Sequence, residues 1–206
     1  MFTHLHLHTE YSLLDGLSRI PDVMDRVQAI GQQSVAMTDH GALYGAVDFY
    51  KEARARGLKP IIGIEAYIAP DSRLKKSESR ANNYFHLTLL AKDEVGYRNL
   101  LQLSTRSHLE GFYYKPRMDK ELLAEYGKGI IALSGCAPGE MHRLLSEERS
   151  DDAKKLAGFF QDVFDDFYLE VMRHDEPEIN AECERVMCGL VDLSKKTKIP
   201  LVATND

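Results

Sequence analysis

The stretch that decides the fold is Phe2-Thr3-His4-Leu5-His6-Leu7-His8-Thr9-Glu10-Tyr11-Ser12-Leu13-Leu14-Asp15-Gly16. His4, His6 and His8 alternate with Leu5 and Leu7. That period of two predicts a strand over Phe2–Leu7 whose end presents His6 and His8 on the same side. Two imidazoles at a strand end can converge on one metal ion. The following segment closes with Asp15-Gly16, a turn able to bring a carboxylate back toward the strand end. His4 lies one pleat further from that end and is expected to support the site without ligating.

The same arrangement recurs along the chain. Val35 to Thr38 runs into Asp39-His40-Gly41, Ile61 to Ile64 into Glu65, Ile130 to Leu133 into Ser134-Gly135-Cys136, and Leu201 to Ala203 into Thr204-Asn205-Asp206. Phe85-His86-Leu87 sits within a strand of its own. The expected strands are Phe2–Leu7, Ser34–Thr38, Pro60–Ile68, Tyr84–Leu90, Gly129–Leu133, Phe167–Val171 and Leu201–Ala203. Between them lie stripes of helical period: Ile20, Val23, Val27 and Ile30; Ala153, Leu156, Ala157 and Phe160; Ile179, Cys183, Val186, Met187 and Leu190. Strands alternating with helices predict an α/β fold with mostly parallel strands. Six of the seven strands carry a metal-capable residue inside them or just past their carboxyl ends. Phe167–Val171, with Glu170 in it and Arg173 and His174 after it, receives no role. Ligands from so many strands meet more easily around a ring than along a flat sheet, which favours a barrel of about seven strands.

Composition sets the class. The chain has 206 residues, 26 basic and 32 acidic side chains and a formal charge of −6. It contains no apolar run of 18 residues, so no transmembrane span is expected. It opens on alternating histidines and not on the basic-then-apolar pattern of a signal peptide. Cys136, Cys183 and Cys188 have no framework spacing and read as free thiols of a reducing compartment. The acidic balance argues against a dominant duplex-binding surface, without excluding a cleft that handles one phosphate through metal ions.

Imidazoles, carboxylates and one thiolate suit Zn²⁺, Mn²⁺ or Fe²⁺ better than an all-oxygen Mg²⁺ or Ca²⁺ site. Eight candidates (His6, His8, Asp15, His40, Glu65, His86, Cys136 and Asp206) exceed one coordination sphere. Two or three ions bridged by a carboxylate such as Glu65 or Asp206 are therefore expected, and such a centre suits phosphoester hydrolysis. Asp39 is read as orienting a histidine from behind. His108, His142 and His174 fall in helical or loop segments. The polar run 71–83, carrying Lys75, Lys76 and Arg80, reads as a solvated loop. Gly111 to Met118, with Phe112, Tyr113, Tyr114, Lys115 and Arg117, reads either as a base-stacking and phosphate-holding segment or as a lid or helix-packing segment. No glycine-rich phosphate loop, HExxH, CxxC or Gly-x-Ser-x-Gly elbow occurs.

Residues His4 to Gly16 resemble the start of the PHP (polymerase and histidinol phosphatase) domain of bacterial DNA polymerase III alpha subunits, the C-family replicases. Thr38-Asp39-His40-Gly41, Lys59 to Tyr67 (KPIIGIEAY), Phe85-His86-Leu87, Ser134-Gly135-Cys136 with Pro138-Gly139-Glu140, and Ala203-Thr204-Asn205-Asp206 resemble that family's successive signatures, in order. The resemblance covers the whole chain. It implies a distorted seven-stranded (β/α) barrel of PHP type, incomplete at the C-terminus. Residues 1–206 would be one PHP domain, an amino-terminal fragment ending two positions before a ninth ligand. It places metal ligands at His6, His8, Asp15, His40, Glu65, His86, Cys136 and Asp206, binding up to three ions. It also implies a cytoplasmic, replicative DNA-directed DNA polymerase as parent protein, whose own carboxylates and Mg²⁺ lie outside this chain. DNA primer-template, a sliding clamp, a clamp loader and a proofreading subunit are the implied partners. The domain itself would be a metal-dependent phosphodiesterase, a 3′–5′ proofreading exonuclease in which His6, His8, His40 and Asp206 position the ions. A non-catalytic, metal-stabilised docking domain is one alternative, and a free-standing phosphatase of the histidinol phosphatase type is the other.

Overall fold

Parity along the strands positions everything else. In Phe85-His86-Leu87-Thr88-Leu89-Leu90, the residues Phe85, Leu87 and Leu89 belong to the large apolar core. Leu90 belongs to a small separate cluster, and His86 and Thr88 share its parity. The same division holds for Ile64, Ala66 and Ile68 against Ile61, and for Phe167 and Leu169 against Tyr168. One face of the sheet therefore packs on helices. The other carries a thin apolar plug of Leu5, Ala36, Ile61, Leu90, Ile131, Leu133, Tyr168 and Val202.

The computed structural model describes residues 2–76, 84–173 and 177–206, with the side chains of 177–183 left out. The strands are β1 (Ser34–Met37), β2 (Lys59–Ile68), β3 (Phe85–Ala91), β4 (Arg117–Met118), β5 (Ile130–Leu133), β6 (Asp166–Val171) and β7 (Leu201–Ala203). The helices are α1 (Ile20–Ala29), α2 (Ala46–Ala55), α3 (Glu94–Leu109), α4 (Lys120–Tyr126), α5 (Glu140–Ser146), α6 (Ser150–Val163) and α7 (Pro177–Thr197). The sheet order is β1-β2-β3-β5-β6-β7, with β4 pairing β2. His8 precedes β1 at one edge and Asp206 follows β7 at the other, yet their side chains lie 3.0 Å apart. The sheet must curl to bring them together. It forms the half-barrel expected of a distorted (β/α) barrel that is incomplete.

The strands are mostly parallel as expected, in the pairings β1–β2, β2–β4, β5–β6 and β6–β7, with β3 alone antiparallel to both β2 and β5. Two other expectations need correction. Phe2–Leu7 is no strand. It follows β1 with a single bridge, His4 to Val35, because the Leu7 N–H is taken by the Thr38 hydroxyl at 2.9 Å and leaves the main-chain ladder. Ile30 caps α1 on the surface, so the buried stripe is Ile20, Val23, Met24 and Val27. The stripe Ala153, Leu156, Ala157 and Phe160 is buried as expected. In α7, Val186 and Leu190 are buried, whereas Ile179 and Cys183 lie outside the described side chains. Cys188 is an exposed free thiol. No described helix is long and apolar enough to cross a membrane.

In the described start of the polar run 71–83, Asp71, Leu74, Lys75 and Lys76 are exposed as expected, but one residue departs from that reading. Arg73 is buried, and its guanidinium bonds Asp119 at 2.9 Å and Glu110 at 2.8 Å. Asp119 also caps α4 by accepting from the Leu122 N–H at 3.0 Å. Arg117 is buried too, donating to the Gly111, Arg73 and Lys75 carbonyls. It therefore holds this loop and is not free to hold a phosphate. Lys75 pairs with Asp71 on the surface, and Arg80 lies outside the described residues. Removing one partner of a buried ion pair strands the other, so Arg73→Ala is expected to cost about 3–5 kcal/mol in urea unfolding. A loss under about 1 kcal/mol contradicts this buried anchoring.

Candidate metal centre

Glu65 sits in the middle of β2 and is fully buried. Its backbone pairs with Thr88 of β3 on one side and bridges His40 on the other. Main-chain pairing on both sides fixes the carboxylate on the concave face, beneath the rim. Around it stand His6 Nε2 at 3.2 Å, His86 Nδ1 at 3.0 Å, His40 Nδ1 at 2.6 Å, His8 Nε2 at 3.7 Å and the Cys136 thiol at 3.2 Å. Asp206 faces His8 at 3.0 Å and His6 at 3.8 Å. At the mouth, Asp15 meets His40 Nε2 at 2.9 Å. All eight residues expected from the sequence thus adjoin one pocket. Asp15 is the outermost, with a side chain 60% exposed.

The antiparallel β3 explains how His86 gets there. It is the second residue of its strand and lies at the opposite end from the ligands that follow β1, β5 and β7. Reversing the strand puts its beginning at the same rim as the ends of the others. Cys136 is delivered by a tight turn. Gly135 has φ +89°, and a Cβ there would fall 2.5 Å from the His86 carbonyl oxygen. Only glycine fits that approach.

Among the described residues, two groupings of donor atoms lie within 4.8 Å: His6, His8, Glu65 and Asp206, and Glu65, His86 and Cys136. Glu65 belongs to both. His6 Nε2, His8 Nε2, His40 Nδ1 and Glu65 Oε2 are buried atoms without a hydrogen bond of acceptable geometry. They face one another at ionic distances instead. Donor and acceptor atoms crowded at such distances without hydrogen-bond geometry form an arrangement that divalent cations would organise. Nitrogen, oxygen and sulfur donors together fit a transition-type ion. The residues therefore fit the group.

Electrostatics make the same point. Among the described residues no Lys or Arg pairs with Glu65, Asp206 or Glu170, so imidazoles carry the compensating charge. Burial disfavours a charged His6, yet Glu170 and Glu65 outweigh it and push the ring up to about 10. His40 rises similarly, with burial opposed by Glu65 and Asp15. Burial also opposes ionisation of Glu65, but the contacts from His40, His6 and His86 hold it well below the usual carboxylate range. Burial and the neighbouring Glu65 raise the Cys136 thiol, which stays protonated without a cation.

Asp39 takes the supporting role expected of it, and other supporting residues were not expected. Asp39 accepts from the Thr9 N–H and hydroxyl and from the Ser12 hydroxyl, at 2.6, 2.7 and 2.8 Å. Ser12 Oγ is 3.2 Å from His8 Nδ1. Asp39 thus orients the His8 ring through Ser12, whose Oγ also accepts from the His40 backbone N–H at 3.2 Å. Glu170, which received no role, is buried beside His6. The signal that finds it is parity, since Tyr168 and Glu170 alternate with the core residues Phe167 and Leu169. His4 packs its ring on Phe2. His108 bonds Ser104 and Tyr44 in α3's last turn, His142 lies in α5, and His174 is outside the described residues. Lys115 holds its ammonium 5.2 Å over the Tyr67 ring, which neighbours His40 and His86.

Comparison with known proteins follows the same lines. Residues 4–174 match the PHP domain family. The whole chain is 47% identical over 207 residues to DNA polymerase III subunit alpha of Borreliella burgdorferi and 48% identical over 216 residues to that of Helicobacter pylori. It covers 18% and 17% of those proteins, under a fifth of their length. An amidohydrolase from Chromobacterium violaceum superposes with TM-score 0.59 at 15% identity, covering 99% of this chain and 86% of that one. A protein named as a candidate metal-dependent phosphoesterase from Bifidobacterium adolescentis gives 0.55 at 18%, covering 98% and 86%. At such identities these two show the fold alone.

Binding a cation at His6 Nε2 and the Cys136 sulfur must displace their protons. Since His6 holds its proton up to about 10, affinity is expected to rise with pH through the neutral range. Calorimetric titration with Zn²⁺ in buffers of differing ionisation enthalpy should show about one to three protons released per chain. Binding that releases none contradicts this charge arrangement.

Proposed function

The chain belongs to the PHP domain family, and from that membership we propose that residues 1–206 are the PHP domain of a DNA polymerase III alpha-type replicase and act as a metal-dependent 3′–5′ exonuclease on primer ends. The carrying observation is the convergence of His6, His8, His40, His86, Cys136 and Asp206 about the buried Glu65, with Asp15 reaching it through His40. The identity to replicase alpha subunits over the whole chain supports the polymerase setting. In that reading the polymerase carboxylates and their Mg²⁺ lie elsewhere in the longer protein. Its partners are primer-template DNA, clamp and clamp loader, with a proofreading subunit as a further candidate, and its compartment is the cytoplasm.

His6, His8, Glu65 and Asp206 would hold one Zn²⁺, Mn²⁺ or Fe²⁺ ion, and Glu65, His86 and Cys136 a second. His40 and Asp15 would serve a third at the mouth. Divalent cations in such a centre acidify water and neutralise phosphate oxygens. The chain's own part is to hold them and to admit the substrate. The cleft of about 660 Å³ opens past Leu17, Pro138 and Asn205, a size suited to a small group or a strand terminus. The carboxylates Asp15, Glu65 and Asp206 put negative charge at the cleft, and bound cations would turn that charge in favour of an incoming phosphodiester.

His8→Ala and Asp206→Ala in the longer protein are expected to reduce mononucleotide release from a mismatched 3′ end by more than about 100-fold. Nucleotide incorporation, whose residues lie elsewhere, should be retained. Unchanged excision contradicts the exonuclease reading. Loss of thermal stability on chelation without any nuclease activity points to a structural domain, and hydrolysis of soluble phosphomonoesters alone points to a small-molecule phosphatase.

A further inference from the structure

Glu170 is a carboxylate with no place in either donor grouping, yet it is 2% exposed and no Lys or Arg among the described residues pairs with it. Its Oε1 accepts from His6 Nδ1 at 2.8 Å and from the Thr204 hydroxyl at 2.7 Å. Its Oε2 accepts from the Gly135 N–H at 3.0 Å and from the Thr88 hydroxyl at 3.3 Å. Its backbone N–H donates to Ser134 Oγ at 2.9 Å. A carboxylate offers about four acceptor sites, and four donors use them. None is left for a cation, so Glu170 is no ligand.

Each donor belongs to a segment that carries a metal-capable residue. His6 is itself one. Thr88 lies two residues after His86 and shares its face of β3. Gly135 precedes Cys136, and Thr204 lies two residues before Asp206. An acceptor-only carboxylate also dictates which His6 nitrogen holds hydrogen. Nδ1 must be protonated, which leaves Nε2 as the nitrogen turned toward Glu65 and Asp206.

We propose that Glu170 is the positioning residue of this centre: one buried carboxylate that selects the Nδ1–H form of His6 and holds the segments bearing His6, His86, Cys136 and Asp206 in common register. The inference rests on the metal-centre reading, but not on any particular substrate. Glutamine at this position keeps the shape and loses the uniform acceptor character. Its amide must point N–H groups at existing donors on one side or the other.

The test uses Co²⁺ as probe, read by its visible absorption against a competing chelator. Glu170→Gln should bind the ion about 10–100-fold more weakly than the unsubstituted protein. In ¹⁵N spectra of histidine-labelled unsubstituted protein, the Co²⁺-displacing ion Zn²⁺ should bind His6 through Nε2, with Nδ1 remaining protonated. A merely structural Glu170 would lower the melting temperature of Glu170→Gln while leaving Co²⁺ affinity at the unsubstituted value, and that result overturns the proposal. So does a spectrum with Zn²⁺ on Nδ1, which decides the matter even where Glu170→Gln fails to fold. Failure of the unsubstituted protein to take up Co²⁺ contradicts the metal-centre reading itself and removes the basis for this one.

Discussion

A carboxylate with no access to water needs positive charge beside it, and the burial of Glu65 imposes that need on the whole domain. Isolating such a charge would cost several kcal/mol even after relaxation, more than any single contact in a marginally stable domain repays. Arginine or lysine would neutralise it permanently. The chain instead surrounds it with His6, His8, His40 and His86, whose protons a cation can replace. A structural ion pair and an exchangeable metal site differ in that choice of residue.

The fold follows from bringing these side chains to one place. Glu65 is held by main-chain pairing on both flanks, His86 by reversal of β3, Cys136 by the glycine turn, and Asp206 by curling the sheet until its edges meet. Helix packing on the convex face supplies the bulk of apolar burial. The concave plug is thin, and the polar layer above it is held by hydrogen bonds centred on Glu170 and Asp39. Stability and function are therefore separated by face. The helix side is ordinary core, and the concave side trades apolar packing for a set of ionisable groups.

Much of this was legible in the sequence, for a physical reason. A strand's period of two writes its inward face into alternate residues, so His86 between Phe85 and Leu87 and Glu65 after Ile64 announce themselves. What sequence could not supply was direction and pairing. Nothing local in Phe85–Ala91 says that it runs opposite to its neighbours. Nothing in Phe2–Leu7 says that the Thr38 hydroxyl diverts its ladder. β4 has two residues and no period to read. Arg73 and Arg117 look like surface charges until Asp119, Glu110 and three carbonyls from distant segments close around them. Glu170 obeyed the parity rule and stayed hidden because its partners His6, Thr88, Gly135 and Thr204 are all remote in sequence.

The central claim is that Glu65 is the shared carboxylate of a cluster of cations. Anomalous diffraction from crystals grown with Zn²⁺ tests it most directly. The account expects at least two ions, each about 2.0–2.2 Å from a Glu65 oxygen, one also touching His6 and His8 and the other His86 and Cys136. Zn²⁺ bound only at surface carboxylates, with Glu65 still facing protonated imidazoles, would contradict it.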